Sequence, residues 1–169
     1  PGIREQNRHI SDALIPPRSA WLRALALELE RIANHLGDLG ALGNDAGFAF
    51  GLAQFSRLKE LLLRSMQDAL GQRYLLDFVV PGGTSRDLGR GSADSLAACV
   101  AALAPEMARL REIYDEHSGV RDRFALAGSV APELARRLGL IGFAGRASGQ
   151  DLDLRTDLPC EPYGDLGPV

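Results

Sequence analysis

The stretch Leu22-Arg23-Ala24-Leu25-Ala26-Leu27-Glu28-Leu29-Glu30-Arg31-Ile32-Ala33-Asn34-His35-Leu36-Gly37-Asp38-Leu39-Gly40 decides how the chain is read. Leu22, Leu25, Leu29, Ile32, Leu36 and Leu39 recur at steps of three and four, which lays one apolar stripe along a helix. Ser19 is a candidate N-cap, while Gly37, Gly40 and Gly43 weaken the far end, so the spacing predicts a helix over about 18–40. Upstream, residues 1–17 are polar and end in Pro16-Pro17, an irregular lead-in.

Downstream, Gly43-Asn44-Asp45-Ala46-Gly47 is a turn signal. A second periodic run, Leu52, Phe55, Leu58, Leu62, Met66 and Leu70, then stops at Gly71, the residue type favoured just past a helix end. Two long helices joined by a short turn make an antiparallel pair. Between Arg73 and Arg90 the strand formers Tyr74-Leu75-Leu76-Asp77-Phe78-Val79-Val80 are ended by Pro81-Gly82-Gly83, which predicts a short strand or β-hairpin. A third helix is expected from Ser92 through Leu96, Val100, Leu103, Met107, Leu110 and Tyr114, with a kink or break near Ala104 ahead of Pro105. Short helices are expected over 120–126 and 132–138, followed by an irregular, extended tail over 139–169. The expected fold class is mainly α, and residues 1–169 read as a single domain.

Composition narrows the possible functions. The 169 residues include 46% hydrophobic side chains, enough for a buried core. A net charge of −3, from 19 basic and 22 acidic residues, gives no general attraction to nucleic acid, and no nucleic-acid partner is expected. Of the basic residues only Lys59 is a lysine. Two cysteines, Cys99 and Cys160, form no C-x-x-C pair, so the chain carries no zinc ribbon or iron–sulfur cradle of its own. No apolar run reaches the roughly 20 residues of a membrane span, so the chain itself is expected to be soluble. Pro1-Gly2 opens without a methionine, which suggests a piece of something longer.

Two places carry candidate chemistry. Glu28, Arg31, His35 and Asp38 follow one another at spacings of three, four and three, forming a polar stripe beside the leucine face. His35, flanked by acid and arginine, suits proton relay near neutral pH. The competing reading is an ion-pair ladder on an amphipathic helix. Asp45, just ahead of Phe48 and Phe50, either caps the second helix or offers a carboxylate beside an aromatic wall. Pro81-Gly82-Gly83-Thr84 and Gly89-Arg90-Gly91-Ser92 lack the phosphate-loop patterns and are read as turns.

As a string, Leu27 to Gly40 resembles the signature of one family. It joins the large subunits of membrane-bound, energy-converting nickel–iron hydrogenases to the 49 kDa (D) subunit of respiratory complex I. The resemblance continues through Asn44-Asp45-Ala46-Gly47-Phe48-Ala49-Phe50, Arg57-Leu58-Lys59-Glu60, Gly71-Gln72-Arg73 and Val80-Pro81-Gly82-Gly83. It resumes at Arg146-Ala147-Ser148-Gly149, Asp153-Leu154-Arg155 and Pro162-Tyr163, covering roughly residues 18–165. The wording around Asn34-His35-Leu36-Gly37-Asp38 is more similar to the hydrogenase-3 or formate hydrogenlyase branch than to complex I.

The resemblance implies a helical bundle core of the nickel–iron hydrogenase large-subunit type. It implies a parent oxidoreductase acting on hydrogen or quinone, with iron–sulfur clusters in a small partner subunit and further membrane-arm subunits. The parent would sit peripherally on the cytoplasmic side of the inner membrane. A Ni–Fe centre needs four soft thiolates, in a C-x-x-C near each end of the family's subunit. With neither pair present, the chain is expected to hold no cofactor and to be inactive alone, as a central fragment, a complex-I-like relative or a metal-free scaffold. Asp45 is implied as the first proton-handling candidate, beside the quinone cavity, with His35 and Arg31 second.

Overall fold

The computed structural model describes residues 15–125, 127–158 and 162–165. Among them the architecture is mainly helical, in the order α1 (Pro17–Asp45), α2 (Ala49–Leu70), β1 (Val79–Val80), β2 (Gly83–Thr84), α3 (Arg90–Glu116), α4 (Ser118–Phe124), α5 (Pro132–Leu138), α6 (Gly142–Ala147) and α7 (Leu154–Asp157), then a 3-10 turn at Tyr163–Asp165. The chain divides into two compact units, Pro1–Ile113 and Tyr114–Val169, so the boundary falls within α3. Most of the expected lead-in lies outside the described residues.

The first unit is organised by α1 and α2. Helix α1 starts earlier than its sequence suggests because Pro17 occupies the first turn, where a missing N–H costs nothing, and Ser19 lies inside the helix. It also runs past its glycines to Asp45. Those glycines serve the packing. A Cβ on Gly40 would stand 3.3 Å from the Cβ of Phe55 and 3.6 Å from the Cα of Leu52. The Gly37 position lies instead against Lys59, so register falls on α1 as it rises on α2, and the pair is antiparallel. Leu29, Ala33 and Leu36 of α1 and Phe55, Leu58, Leu62 and Met66 of α2 are buried. Each large side chain of that set contributes about 1.5–3 kcal/mol of burial.

At the end of α2, Gly71 adopts φ +80° and its amide donates to the Gln67 carbonyl. The expected hairpin forms, with Val79 opposite Thr84 and Val80 opposite Gly83 in an antiparallel pair. Pro81 and Gly82 (φ +81°) supply the fixed and the positive φ that a type II turn requires. Two-residue strands are too short to stand alone. The hairpin is fastened to α1 by Arg23, whose guanidinium donates to the Val80 carbonyl at 2.6 Å and to the Gly83 carbonyl at 2.9 Å. Arg18 adds a 2.7 Å ion pair to Asp87 and a 2.7 Å bond to the Leu88 carbonyl. Glu30 accepts the Leu75 amide at 2.9 Å.

Helix α3 stays helical through Pro105, so of the kink or break expected near Ala104 a break does not occur. A proline in a helix interior removes one donor and leaves the carbonyl four residues back without its partner. Ala101, Ala104 and Pro105 are all exposed, so water can take that place. Arg57 of α2 pairs with Glu106 of α3.

In the second unit, α4 and α5 form where the sequence predicts short helices, and Gly139 ends α5 at φ +64°. The described part of the tail is not extended: it folds into α6, α7 and the 3-10 turn. Local bonds hold it. The Leu140 amide donates to Ala135, the Gln150 side chain to the Pro132 carbonyl, and Asp153 caps α7 through the Arg155 amide. Period-based reading misses helices of four to six residues, which are too short to show a repeat.

Candidate functional site

Arg31, His35 and Asp45 all lie on α1, and a straight helix cannot gather them. At 1.5 Å per residue, Arg31 and Asp45 are about 21 Å apart along the axis, and His35 and Asp45 about 15 Å. Arg31 is engaged within its own helix: its Nη1 donates to Glu28 at 2.8 and 3.0 Å. At this step the polar stripe is therefore an ion-pair ladder. His35 is half-buried.

Asp45 ends α1 instead of capping α2. The N-cap of α2 is Phe48, which makes no side-chain cap bond. Asp45 is exposed at the tip of the helix pair. Around it lie exposed Leu42 and Phe50, with Phe48 and Phe50 ring centroids 5.6 Å apart and tilted by 51°. The tip thus sets one exposed carboxylate beside the exposed Leu42 and Phe50 and the half-buried Phe48. Its placement also runs against local electrostatics. The carbonyl end of a helix carries partial negative charge, which favours cations there. The last turn of α1 has no basic residue and ends in an aspartate. Neither Asp38 nor Asp45 makes an ion pair with another described residue.

Sequence reasoning passed over a second polar centre. Glu60 receives a two-pronged bond from Arg73, at 2.5 and 3.0 Å, and another from Arg64 at 2.8 Å. Bonding by Arg73, then by Arg64, holds the Glu60 carboxyl down at about 2. The same bond raises the Arg73 pKa. This centre straps the loop after α2 back onto the helix. In the second unit Asp153 takes Arg155 at 2.7 Å and Arg146 at 3.2 Å, and the Arg155 bond holds its carboxyl well below the usual range. The bond between Glu60 and Arg73 spans thirteen residues and leaves the helix, so no local spacing signals it.

Among the described residues no group of three or more His, Cys, Asp or Glu side chains could hold a metal ion. With only two cysteines the chain cannot supply the four thiolates of a Ni–Fe centre, so no step is assigned to one here. A groove of about 370 Å³ lies between α2 and the start of α3, lined by Leu61, Arg64, Asp68, Ser92 and Ser95. It touches none of Arg31, His35 or Asp45. No helix among the described residues is long and apolar enough to cross a membrane.

Comparison with known proteins gives this geometry a context. The chain is 32% identical over 152 residues to the D 1 subunit of NADH-quinone oxidoreductase from Streptomyces coelicolor, covering 90% of this chain and 40% of that protein. It is 30% identical over 152 residues to formate hydrogenlyase subunit 5 of Escherichia coli, covering 90% of this chain and 27% of that protein. It thus spans well under half the length of these relatives. Its fold matches a chain of the membrane-bound sulfane sulfur reductase, an archaeal respiratory membrane complex, with a TM-score of 0.87 at 23% identity, over 95% of this chain and 43% of that one. Residues 45–167 match the family described as the respiratory-chain NADH dehydrogenase 49 kDa subunit, and the chain belongs to that family.

Proposed function

We propose that this chain is the helical core of a respiratory-type oxidoreductase large subunit of the formate hydrogenlyase or NADH-quinone oxidoreductase kind. Its α1–α2 tip forms part of a cavity wall where hydrogen or quinone chemistry is coupled to proton movement. The observation that carries this reading is Asp45, an exposed carboxylate beside Leu42, Phe48 and Phe50 at the tip of two long packed helices. An apolar cover over that tip would desolvate the carboxyl, favour its protonated form and make it able to hold and release a proton. His35, ten residues back on the same helix, and Arg31 beyond it serve as secondary members. Arg31 acts through its bond to Glu28.

In this reading the redox centre belongs to other parts of the assembly: a Ni–Fe site in a hydrogenase, or quinone in a complex-I-like enzyme, fed by iron–sulfur clusters of a small partner subunit. The chain would sit peripherally, on the cytoplasmic side of the inner membrane against membrane-arm subunits. Apolar side chains left outside on both units suit a piece built into a larger assembly.

The test is Asp45→Asn in the intact complex. Turnover should fall by about tenfold or more, in the range of lost acid–base function, with assembly unchanged. Unchanged turnover removes Asp45 from the proton route. Nickel analysis of the same purified complex separates the two parents, since stoichiometric nickel selects the hydrogenase and its absence the quinone enzyme or a scaffold.

A further inference from the structure

The segment between α2 and the hairpin turns at Leu75–Phe78, where the Phe78 amide donates to the Leu75 carbonyl at 3.2 Å. The outer two residues of that turn are its roots. Leu75 and Phe78 are buried, the Leu75 amide donates to Glu30 of α1 at 2.9 Å, and the Phe78 carbonyl accepts the Ser85 amide at 2.8 Å. The central two residues stand outside. Leu76, 74% exposed, is the most exposed large apolar side chain among the described residues, and Asp77 is exposed beside it. Tyr74 and Val79, on either side of the turn, are exposed as well. Asp77 has φ +59°, a left-handed conformation that no other described non-glycine residue adopts. The third position of a turn with positive φ favours glycine, and any side chain there strains the backbone. The Asp77 carboxylate makes no hydrogen bond or ion pair with another described residue. The fold of this unit therefore bears the strain of an aspartate whose charge it does not use.

We propose that the Leu76–Asp77 tip is a preformed contact for another protein subunit, which receives Leu76 in an apolar socket and sets a lysine or arginine against Asp77. The turn is held at both roots before any contact, which lowers the entropy lost on binding. Leu76, with Tyr74 beside it, supplies the apolar area of an interface centre, and Asp77 belongs to the polar rim. The carboxylate decides the kind of occupant. An anionic bilayer surface would repel it, and the apolar interior of its own subunit would leave it unmatched. A cationic side chain at the rim of a second subunit compensates it. The proposal rests on reading this chain as one subunit of a larger complex, but it involves neither Asp45 nor turnover.

The test places the photo-crosslinking residue p-benzoylphenylalanine at Leu76 or, separately, at Tyr74, whose ring it nearly reproduces, in the intact complex. Illumination should join it to a different subunit, at a peptide that carries lysine or arginine. Asp77→Asn removes the charge and keeps a residue type that tolerates the same backbone conformation. It should lower the yield of that adduct at least about threefold, the scale of one exposed ion pair. The Tm of the 169-residue chain should stay within about 2 °C, as for other exposed substitutions. Adducts confined to the same subunit, to a second copy of it or to lipid overturn the proposal, and so does a complex that gives no adduct. A yield indifferent to Asp77→Asn overturns it too. A chain that purifies with no other subunit fails the proposed function as well. An intact complex that slows on Asp45→Asn yet gives no adduct fails this proposal alone.

Discussion

The two compact units handle apolar side chains in opposite ways. In the first, Phe55, Leu58, Leu62, Met66 and Phe78 are at most 2% exposed, and they knit α1, α2 and the hairpin segment around one core. In the second, the buried side chains among the described residues are Val120, Ala135, Pro162 and Tyr163, while Leu138, Ile141, Phe143, Leu154 and Leu158 are more than half exposed. The second unit is held by backbone turns and by arginine–aspartate bonds in place of side-chain packing. A long helix pair can bury a stripe on its own. Helices of four to seven residues can bury one or two side chains each, and the rest must find cover elsewhere or face water.

Substitutions can break this contrast. The largest effect belongs to Phe55→Ala, which empties a fully packed position and should cost about 3–5 kcal/mol in denaturant unfolding. Next is Gly40→Val, which drives a branched side chain into Phe55 and the Leu52 backbone and should cost about 1–3 kcal/mol. If either is tolerated without loss, the first unit does not depend on the helix pair. By contrast, Leu138→Ser should change the stability of the chain by no more than about 0.5 kcal/mol while reducing binding of an apolar dye. A large loss there would show that the second unit hides a core of its own.

Acid sharpens the comparison, because each unit has an arginine-bound carboxylate. Glu60 is held at about 2 instead of 4.5, and Asp153 is also depressed. A depressed carboxylate contributes its full stabilisation above its unfolded pKa and loses it as pH falls through the folded value. Both units should therefore weaken on acidification below about pH 4.5, the ordinary carboxylate range. Arg73→Gln should flatten the acid limb of the melting curve and lower Tm at neutral pH by about 2–4 °C. An unaltered acid limb would mean that Glu60 contributes nothing through Arg73.

What the sequence makes legible follows the same division. The α1 and α2 periods, the Gly71 stop and the Pro81-Gly82 turn can be read directly because each is local and repeated or has one steric cause. The extension of α1 to Asp45 could not, because Gly40 and Gly43 look like helix breakers until the buried Phe55 shows why one of them is a glycine. Passage of α3 through Pro105 depends on the exposure of the turn before it, which no local pattern states. Motif order brought out Asp45, His35 and Arg31. That Asp38 and Asp45 pair with no other described residue is visible only in three dimensions, and it separates them from Arg31, whose charge is already matched.

The bonds from Arg23 to the hairpin carry a consequence for how so short a ribbon keeps its place. Val80 and Gly83 face each other at the two ends of the Pro81-Gly82 turn. A single guanidinium, rooted in α1, donates to the carbonyls of both. One arginine thus clasps both ends of the turn to one helix. Replacing it by lysine would keep the charge but give up the fork that engages both carbonyls, and the turn would then be tied to α1 at one end only.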